Sequence, residues 1–385
     1  MNTEQTQTPI KVVVTGWGGL LGFHLRAAIE AENGSRAFKG IAAKYDVMLS
    51  SRLTVENTNT LARELNNADL VIHLAGVNRA EPDVVEHANQ DMANILIEAI
   101  AATDSKPHLV YSNSSHSSRD TPYGRGKAGA DHTFKRWSVD TGSRYSNMVL
   151  PHIYGEKAKP FYNNVTATLC HQVVAGEIPT IHDGASVELL HAGAVANAIL
   201  EAFDKGQSGT QALSGKQCMV QELYEWILSF HHKQTINVFP DFPDRFALTL
   251  FNTYRWFTFP ERFPGLLNLH EDDRGVLFEA VKGGGGGQTF LSWTKPGIER
   301  GHHFHKEKVE RFLVVSGTAR ICVRQLFDDT VYTFDVTGDE PVYVDMPTLH
   351  THSIENTGRE PLLTLFWAHE VFDPENPDTF AHNVQ

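Results

Sequence analysis

A glycine-rich turn between a short apolar strand and a helix limits the possible folds of this chain more than any other feature. Residues 12–14 are three consecutive valines, and residues 24–31 have the apolar spacing of a helix. Glycines at such a junction let the backbone turn tightly and let a pyrophosphate approach the helix N-terminus. The residues of this turn are Thr15, Gly16, Gly19, Leu20, Leu21 and Gly22. The pattern predicts a dinucleotide-binding βαβ unit, and an ordinary strand-to-helix turn is the alternative.

The pattern of apolar and polar residues changes part-way along the chain. Short β-branched runs alternate with amphipathic stretches over residues 11–150, which is the rhythm of a parallel α/β sheet. Residues 160–260 have mainly helical patterns. Beyond residue 265, short alternating segments separated by glycines are typical of a β-sandwich or small barrel. A chain of 385 residues is long enough for two domains. We expect a nucleotide-binding domain over residues 1–262 and an all-β domain over residues 263–385.

Composition argues against several functional classes. A net charge of -13 without a long basic run argues against a nucleic-acid surface. No window approaches the roughly 18 apolar residues of a membrane helix, and the polar start does not have the plan of a secretion signal. We therefore expect a cytoplasmic protein with no membrane partner. Cys170, Cys218 and Cys322 are far apart and odd in number, so we interpret them as packing residues.

Two further segments indicate which cofactor the turn would bind. At the end of the second predicted strand, where an acidic residue would bind the ribose hydroxyls of NAD, the chain has Ser50, Ser51 and Arg52. A cation among small hydroxyl residues suits the 2′-phosphate of NADP(H), and a solvated surface charge is the alternative. Ala75 and Gly76 place small residues at a strand end where a cofactor would cross the sheet. The sequence therefore predicts NADP(H).

A tyrosine and a lysine follow the strand predicted at residues 108–112. Tyr123 and Lys127 are four residues apart and share one helix face. The ammonium can therefore lower the pKa of the phenol, which is about 10 in the free amino acid, and can bind the nicotinamide ribose. Tyr123 would be the proton donor. A serine at the strand end would hold the substrate carbonyl oxygen, with Ser114 the better-placed candidate and Ser115 the second.

These residues resemble the extended short-chain dehydrogenase/reductases over about residues 10–260. The glycine motif of that family matches Thr15 to Gly22, and its catalytic serine, tyrosine and lysine match Ser114, Tyr123 and Lys127. The resemblance implies a doubly wound Rossmann sheet and a hydride transfer at C4 of a nucleotide-linked hexose. Sugar 4,6-dehydratases of the family have an Asp-Glu pair where this chain has Ser115 and His116. Dehydration is therefore disfavoured, and reduction of a ketone is favoured.

Four residues in the all-β part have the spacing of metal ligands. Alternate residues of a strand share a face, so His303 and His305 can both point into a barrel, where Glu310 and His352 would complete a mixed nitrogen and oxygen site. His302 would face the other way. The donor set is compatible with Zn, Fe, Mn or Ni, of which we favour Zn²⁺. A cluster of surface histidines is the alternative.

The spacing of these residues resembles the cupin superfamily over about residues 290–370. Residues 273–279 and 300–301 also resemble cupin sugar epimerases, which invert carbons beside a 4-keto group. In those enzymes the residue at the position of His303 takes a proton from carbon, which conflicts with its use as a metal ligand. A metal that polarises the ketone, with another residue as the base, is a second possibility. His350, near the ligand set, is either a further polar contact or a surface residue.

The whole chain resembles the bifunctional capsular-polysaccharide enzymes of the CapF type, on matching stretches that include residues 267–275, 308–317 and 372–379. That resemblance implies a cupin that epimerises C3 of a UDP-2-acetamido-2,6-dideoxy-4-hexulose and a reductase that then uses NADPH at C4. It implies the product UDP-2-acetamido-2,6-dideoxy-L-talose, which feeds N-acetyl-L-fucosamine into capsule or O-antigen, and a homodimer. Two rival hypotheses are a single-activity C4 reductase or epimerase with a structural cupin, and a non-catalytic NADP(H)-sensing or sugar-binding protein.

Overall fold

The structure, a computed structural model, describes residues 8–51, 53 and 57–385 and consists of two compact units. The first unit runs to Tyr154 and includes Ser186–Cys218, and the second comprises Gly155–Ala185 and Met219–Gln385. Each unit is therefore built from two separate ranges of the chain. The predicted boundary at residue 262 separates α/β and helical sequence patterns from short strand patterns, and it stays a proposal. Among the described residues, no helix has the length and apolar character that a membrane crossing requires.

Parallel strands form the centre of the first unit. Its strands are β1 (Ile10–Thr15), β2 (Tyr45–Ser50), β3 (Leu70–His73), β4 (His108–Ser114), β5 (Tyr145–Leu150), β6 (His152–Tyr154), β7 (Ser186–His191), β8 (Gly209–Ala212) and β9 (Lys216–Met219). Six of them form one sheet in the order β2-β1-β3-β4-β5-β8, and all its pairs are parallel. Strands β6, β7 and β9 form a separate small sheet. The predicted Rossmann-type sheet is confirmed.

Helices cover both faces of the parallel sheet. The helices of the chain are α1 (Leu20–Phe38), α2 (Thr58–Leu65), α3 (Pro82–Ala101), α4 (Pro122–Thr141), α5 (Val165–Val174), α6 (Ala192–Asp204), α7 (Val220–Thr235) and α8 (Arg245–Trp256). Successive side chains of a strand point to opposite faces. Val12 and Val14 accordingly share a buried cluster with Leu25 of α1. Val13 lies in the opposite cluster with Phe134 of α4.

The second unit contains the antiparallel strands. They are β10 (Gly265–Leu266), β11 (Leu269–Asp272), β12 (Gly275–Phe278), β13 (Gln288–Thr294), β14 (Glu299–Phe304), β15 (Glu310–Ser316), β16 (Thr318–Gln325), β17 (Val331–Thr337), β18 (Val342–Met346), β19 (His350–Asn356), β20 (Leu362–Ala368) and β21 (Phe380–Ala381). Two five-stranded sheets have the orders β10-β18-β15-β20-β13 and β17-β16-β19-β14-β21. Their shared core includes Phe312, Ile321, Ile354 and Phe366. The predicted all-β part of the fold is confirmed.

A buried arginine, Arg311, joins this β-domain to the preceding helical segment of the same unit. Arg311 on β15 binds Asp345 on β18 through two hydrogen bonds, Nε to Oδ1 at 2.6 Å and Nη2 to Oδ2 at 2.9 Å. Its Nη1 also donates to Asn237 at 2.8 Å, and its guanidinium lies 3.6 Å from the ring centroid of Tyr343. Because strand side chains alternate, Arg311 points away from the face that carries Glu310. Asn237, which follows α7, therefore contacts the face of the sheet opposite Glu310.

Candidate functional site

The glycine turn has no room for side chains at two positions. Gly16 has φ +73°, and a Cβ built on it would lie 2.3 Å from the backbone nitrogen of Ala75. A Cβ on Gly22 would lie 2.5 Å from the carbonyl carbon of Trp17. Helix α1 begins directly after Gly19, and a Cβ built on the neighbouring Gly18 would meet no atom within 4 Å. The free N–H groups at this helix start, with a close-packed turn behind them, fit a dinucleotide pyrophosphate.

The turn, the end of β3 and helix α4 meet at one edge of the sheet. Gly16 packs on Ala75, and a Cβ on Gly76 would lie 3.6 Å from Nζ of Lys127. Leu21 is buried on α1, and Leu20 is half-buried. The structure therefore brings together the predicted cofactor-binding residues Thr15 to Gly22, Ala75, Gly76 and Lys127. Arg52 lies outside the described residues.

Ser114, Tyr123 and Lys127 lie close together where β4 ends and α4 begins. The hydroxyl of Ser114 lies close enough to the phenol of Tyr123 to lower its pKa, and Oγ of Ser114 accepts a hydrogen bond from the backbone N–H of His116 at 3.1 Å. Nζ of Lys127 donates to the backbone carbonyl of Ser112 at 2.7 Å. Ser115 is exposed and begins a short 3-10 turn. The geometry thus supports Ser114 over Ser115 as the partner of the tyrosine.

Burial dominates the titration of these groups. It raises the pKa of the half-buried Tyr123 phenol, and the hydrogen bond from Ser114 opposes this shift. Burial lowers the pKa of the Lys127 ammonium to about 7. A phenol with a raised pKa stays protonated at neutral pH and can serve as a proton donor. The sequence predicted that Lys127 lowers the pKa of Tyr123, and this was wrong for the net shift, because burial raises that pKa.

Two buried or half-buried histidines of the first unit, His73 and His152, were not singled out from the sequence. A hydrogen bond of 2.8 Å joins Nδ1 of His73, at the end of β3, and Oγ1 of Thr15. Burial lowers the pKa of His73 to about 3, so its ring is neutral. His152 follows β5, and its Nε2 is buried without a hydrogen-bond partner among the described residues. Nothing in the sequence spacing of these two histidines marked them.

The four predicted metal ligands converge in the β-domain. His303 and His305 lie on or just after β14, Glu310 begins β15 and His352 lies on β19. One candidate donor atom from each residue lies within 4.8 Å of all the others. Nε2 of His305 is 3.2 Å from Oε2 of Glu310, and Nε2 of His352 is 3.7 Å from the same oxygen. Because His305, Glu310 and His352 are buried, the alternative of a cluster of surface histidines does not describe this arrangement.

The chemistry of the cluster fits a divalent metal. His305, Glu310 and His352 are all buried, and Nε2 of His352 has no hydrogen-bond partner among the described residues. Burial lowers the pKa of His352 and lowers that of His303 to about 4, so both rings are neutral and able to bind a metal. Three imidazole nitrogens and one carboxylate oxygen are a donor set that Zn²⁺ accepts.

Two neighbouring histidines lie outside the ligand set. His302 has φ +57°, at a register shift between Gly301 and His303. The bulge directs His302 to Glu299, whose Oε2 is 3.3 Å from its Nε2. His350, which was expected to be either a polar contact or a surface residue, is buried and hydrogen-bonds through Nδ1 to the backbone carbonyl of Thr348 at 2.8 Å.

Comparisons with known proteins find a matching family for each part of the chain. The NAD dependent epimerase/dehydratase family matches residues 12–213, and the polysaccharide biosynthesis C-terminal domain matches residues 270–380. A protein of Pseudomonas aeruginosa, "UDP-2-acetamido-2,6-beta-L-arabino-hexul-4-ose reductase", is 31% identical over 381 residues, which cover 97% of this chain and 99% of that protein. The chain is a CapF-type member of the NAD dependent epimerase/dehydratase family.

Solved structures agree with this placement. The capsular polysaccharide assembling protein CapF from Staphylococcus aureus is 27% identical with a TM-score of 0.60, and the match covers 97% of this chain and 99% of that chain. UDP-N-acetylglucosamine 4-epimerase from Bacillus cereus, 20% identical with a TM-score of 0.51, covers 68% of this chain and shows the shared fold alone. The CapF-type match therefore extends over both the parallel sheet and the β-domain.

One residue of this CapF-type chain that contacts the metal-ligand cluster was not recognised from the sequence. The backbone carbonyl of Asp378 lies 2.5 Å from Nδ1 of His305, and its carboxylate accepts hydrogen bonds from the loop that follows His305. The sequence separation of more than seventy residues gave no signal of this contact. Residues 372–379 contributed to the family resemblance, but that resemblance did not assign Asp378 a role.

Proposed function

We propose that the parallel-sheet unit reduces a C4 ketone of a nucleotide sugar with NADPH. The observation that carries this proposal is the contact between Tyr123 and Ser114 beside the glycine turn and Lys127. A binding protein needs the glycine turn but has no use for a proton donor held by a serine. The substrate we propose is a UDP-2-acetamido-2,6-dideoxy-4-hexulose, which the printed name of the Pseudomonas aeruginosa relative supports.

The chain supplies protonation, orientation and cofactor binding for this reaction. Ser114 would hold the ketone oxygen, and Tyr123 would donate a proton to it as the alkoxide forms. Lys127, fixed by Ser112, would bind the nicotinamide ribose. Bound NADPH supplies the hydride. The helix start after Gly19 and the close approach at Gly16 and Gly22 would hold the pyrophosphate.

We propose that the β-domain is a cupin that epimerises C3 before the reduction. A ketone at C4 makes the neighbouring C–H acidic, and reduction removes that ketone, so epimerisation has to come first. His303, His305, Glu310 and His352 would hold Zn²⁺, which would polarise a ketone oxygen. His303 is the half-buried member of the set, so it is also the candidate for contact with substrate if it acts as the base instead of as a ligand.

A second candidate function is supported by the burial of the ligands. His305, Glu310 and His352 are buried to 2%, 7% and 0% exposure, and closed metal sites in proteins are usually structural. In this hypothesis the chain is a single-activity C4 reductase, and the metal stabilises the β-domain. The two candidates differ in whether C3 exchanges its proton, which the last experiment of the Discussion measures.

We further propose that the product is UDP-2-acetamido-2,6-dideoxy-L-talose, for a surface polysaccharide, and that the enzyme is a homodimer. The β-domain exposes large apolar side chains, among them Leu269, Val276, Leu277 and Trp293 at 51% to 65% exposure. Large apolar side chains that are exposed in this way are candidates for burial in a protein interface. Light scattering after size exclusion should give twice the chain mass of 42.9 kDa, and Leu277→Glu should shift the protein towards monomer.

Consumption of the reduced nicotinamide tests the reductase. The purified chain should oxidise NADPH only when the UDP-4-keto sugar is added, and Tyr123→Phe should lower kcat by roughly 10²- to 10⁴-fold, the usual contribution of a positioned acid. Arg52→Ala should lower kcat/KM for NADPH by roughly tenfold or more with NADH little changed, since the cation would bind only the 2′-phosphate. Equal use of both cofactors by the unmodified enzyme would contradict the NADPH assignment.

A further inference from the structure

We propose that Asp378 is the positioning residue of the metal centre: its side chain fixes the loop between two ligands, and its backbone orients His305. The inference rests on the proposed metal site and assigns a role to a residue outside the ligand set. Three observations carry it, one on the carboxylate, one on the carbonyl and one on the backbone conformation of Asp378 itself.

The carboxylate of Asp378 binds three successive backbone N–H groups. Oδ1 accepts from Lys306 at 3.1 Å, and Oδ2 accepts from Glu307 at 2.8 Å and from Lys308 at 2.7 Å. These residues form the turn that leads from His305 to Glu310. Hydrogen bonds from neutral donors to an ionised acceptor are stronger than those between neutral groups. The side chain therefore sets the course of the loop that separates two ligands.

The backbone carbonyl of Asp378 fixes which nitrogen of His305 faces the cluster. It lies 2.5 Å from Nδ1 of that ring. A carbonyl oxygen can only accept a hydrogen bond, so Nδ1 carries a proton and Nε2 is left to face Glu310 at 3.2 Å. Partners of this kind fix ring orientation and tautomer in metal-binding histidines. The same residue thus acts on His305 and on the loop that follows it.

The conformation of Asp378 is one that its surroundings must maintain. Its φ of +42° lies in the left-handed region, which is uncommon for residues other than glycine, although aspartate tolerates it better than most. Neighbouring contacts hold the segment: Nζ of Lys308 donates to the carbonyl of Pro377 at 2.6 Å, and Oγ1 of Thr379 donates to the same carbonyl at 3.0 Å. Strained residues of this type persist where several contacts over-determine them.

A purely structural role is the competing explanation, in which Asp378 only anchors the last segment of the chain. The loop has other supports, because Leu349 donates to the carbonyl of His305 at 2.8 Å and Asn252 donates to that of Glu307 at 2.8 Å. An anchor would affect the stability of the metal-free protein. A positioning residue would also affect how tightly the folded protein holds a metal and with what geometry.

The experiment compares Asp378→Asn and Asp378→Ala with the matched control Glu375→Ala. Glu375 is an exposed carboxylate in the same segment. Full-length proteins are stripped of metal and checked for native circular dichroism. Their dissociation constants for Zn²⁺ are then measured by competition with a chromophoric chelator, and the visible absorption bands of Co²⁺ report ligand geometry. Asp378→Asn keeps the size of the side chain, so it stays informative if Asp378→Ala does not fold.

We expect Asp378→Asn to raise the Zn²⁺ dissociation constant by roughly 10- to 100-fold and to change the Co²⁺ bands, while Glu375→Ala matches the unmodified protein. The same affinity and bands in Asp378→Asn, with only a lower Tm, would overturn the positioning role and leave the metal site intact. Failure of the unmodified protein and of Glu375→Ala to bind either ion would instead overturn the metal site itself, and this inference with it.

Discussion

Lys127 donates a hydrogen bond to the backbone carbonyl of Ser112 at 2.7 Å while its side chain is buried to 4% exposure. The contact ties helix α4 to strand β4 and places Nζ 4.4 Å from the ring centroid of Tyr111. No carboxylate takes part in these contacts. An amine in such surroundings loses hydration, which is why its pKa falls from 10.5 to about 7.

This buried amine makes stability depend on pH in a predictable direction. Between pH 7 and 10.5 the unfolded chain binds a proton at Lys127 that the folded chain has lost, so the free energy of unfolding rises with pH in that window. From pH 7 to 9 the rise amounts to about 2 kcal/mol. Lys127→Met should lack this contribution and should be stabilised most at the lower pH. Denaturant titrations of both proteins at the two pH values measure it. An equal difference between them at both values would contradict the low pKa.

The glycine turn offers a matched pair of substitutions. Gly16→Ala places a Cβ 2.3 Å from the backbone of Ala75 at a φ of +73°, so we expect a cost on the order of 1–3 kcal/mol in the free energy of unfolding and loss of NADPH binding. Gly18→Ala meets nothing within 4 Å and should preserve both. Fluorescence titration with NADPH and thermal unfolding provide the measurements. Similar NADPH affinity in the two variants would show that the turn does not approach the cofactor closely.

The two serines at the end of β4 separate a catalytic role from a local structural one. The hydroxyl of Ser114 lowers the pKa of Tyr123, whereas Ser115 is exposed. We expect Ser114→Ala to lower kcat by about 10²-fold or more with a small change in Tm, because the ketone oxygen loses a positioned donor. Ser115→Ala should keep nearly full activity. A greater loss of kcat in Ser115→Ala would reverse the assignment.

Metal binding should appear as a stability change that depends on the ligand set. A ligand that binds only the folded state at about 100 times its dissociation constant adds roughly 2.7 kcal/mol to the free energy of unfolding. Chelator-treated protein should therefore gain stability when Zn²⁺ is restored. His352→Ala should show no gain, and His270→Ala, which removes an exposed histidine of β11, should respond as the unmodified protein does. Thermal unfolding with and without Zn²⁺ gives the result, and a gain in His352→Ala would exclude the proposed ligand set.

The sequence predicted the parts of the site that depend on local spacing. The pairing of Tyr123 with Lys127 follows from the repeat of a helix, and that of His303 with His305 from the repeat of a strand. The turn from Gly16 to Gly22 follows from its glycines and its place between a strand and a helix. Contacts between distant segments left no such signal. Asp378 reaches His305 only through a folded C-terminal segment, and the raised pKa of Tyr123 depends on burial that spacing alone does not specify.

The division of the chain was also beyond the sequence pattern. Helices α7 and α8 have the same kind of sequence pattern as the helices around the parallel sheet, yet they belong to the compact unit that contains the antiparallel strands. No pattern in the sequence singled out Arg311, whose guanidinium contacts that helical segment through Asn237. Long-range packing of this kind is decided by complementary surfaces, which hydrophobic periodicity does not encode.

The central claim is that one chain epimerises C3 and then reduces C4, and proton NMR in D₂O tests it most directly. The unmodified enzyme is given the UDP-2-acetamido-2,6-dideoxy-4-hexulose first without NADPH and then with it. We predict that deuterium enters at C3 before the cofactor is added and that the C4 alcohol forms only afterwards. Reduction at C4 without exchange at C3 would contradict the bifunctional account and support the single-activity reductase.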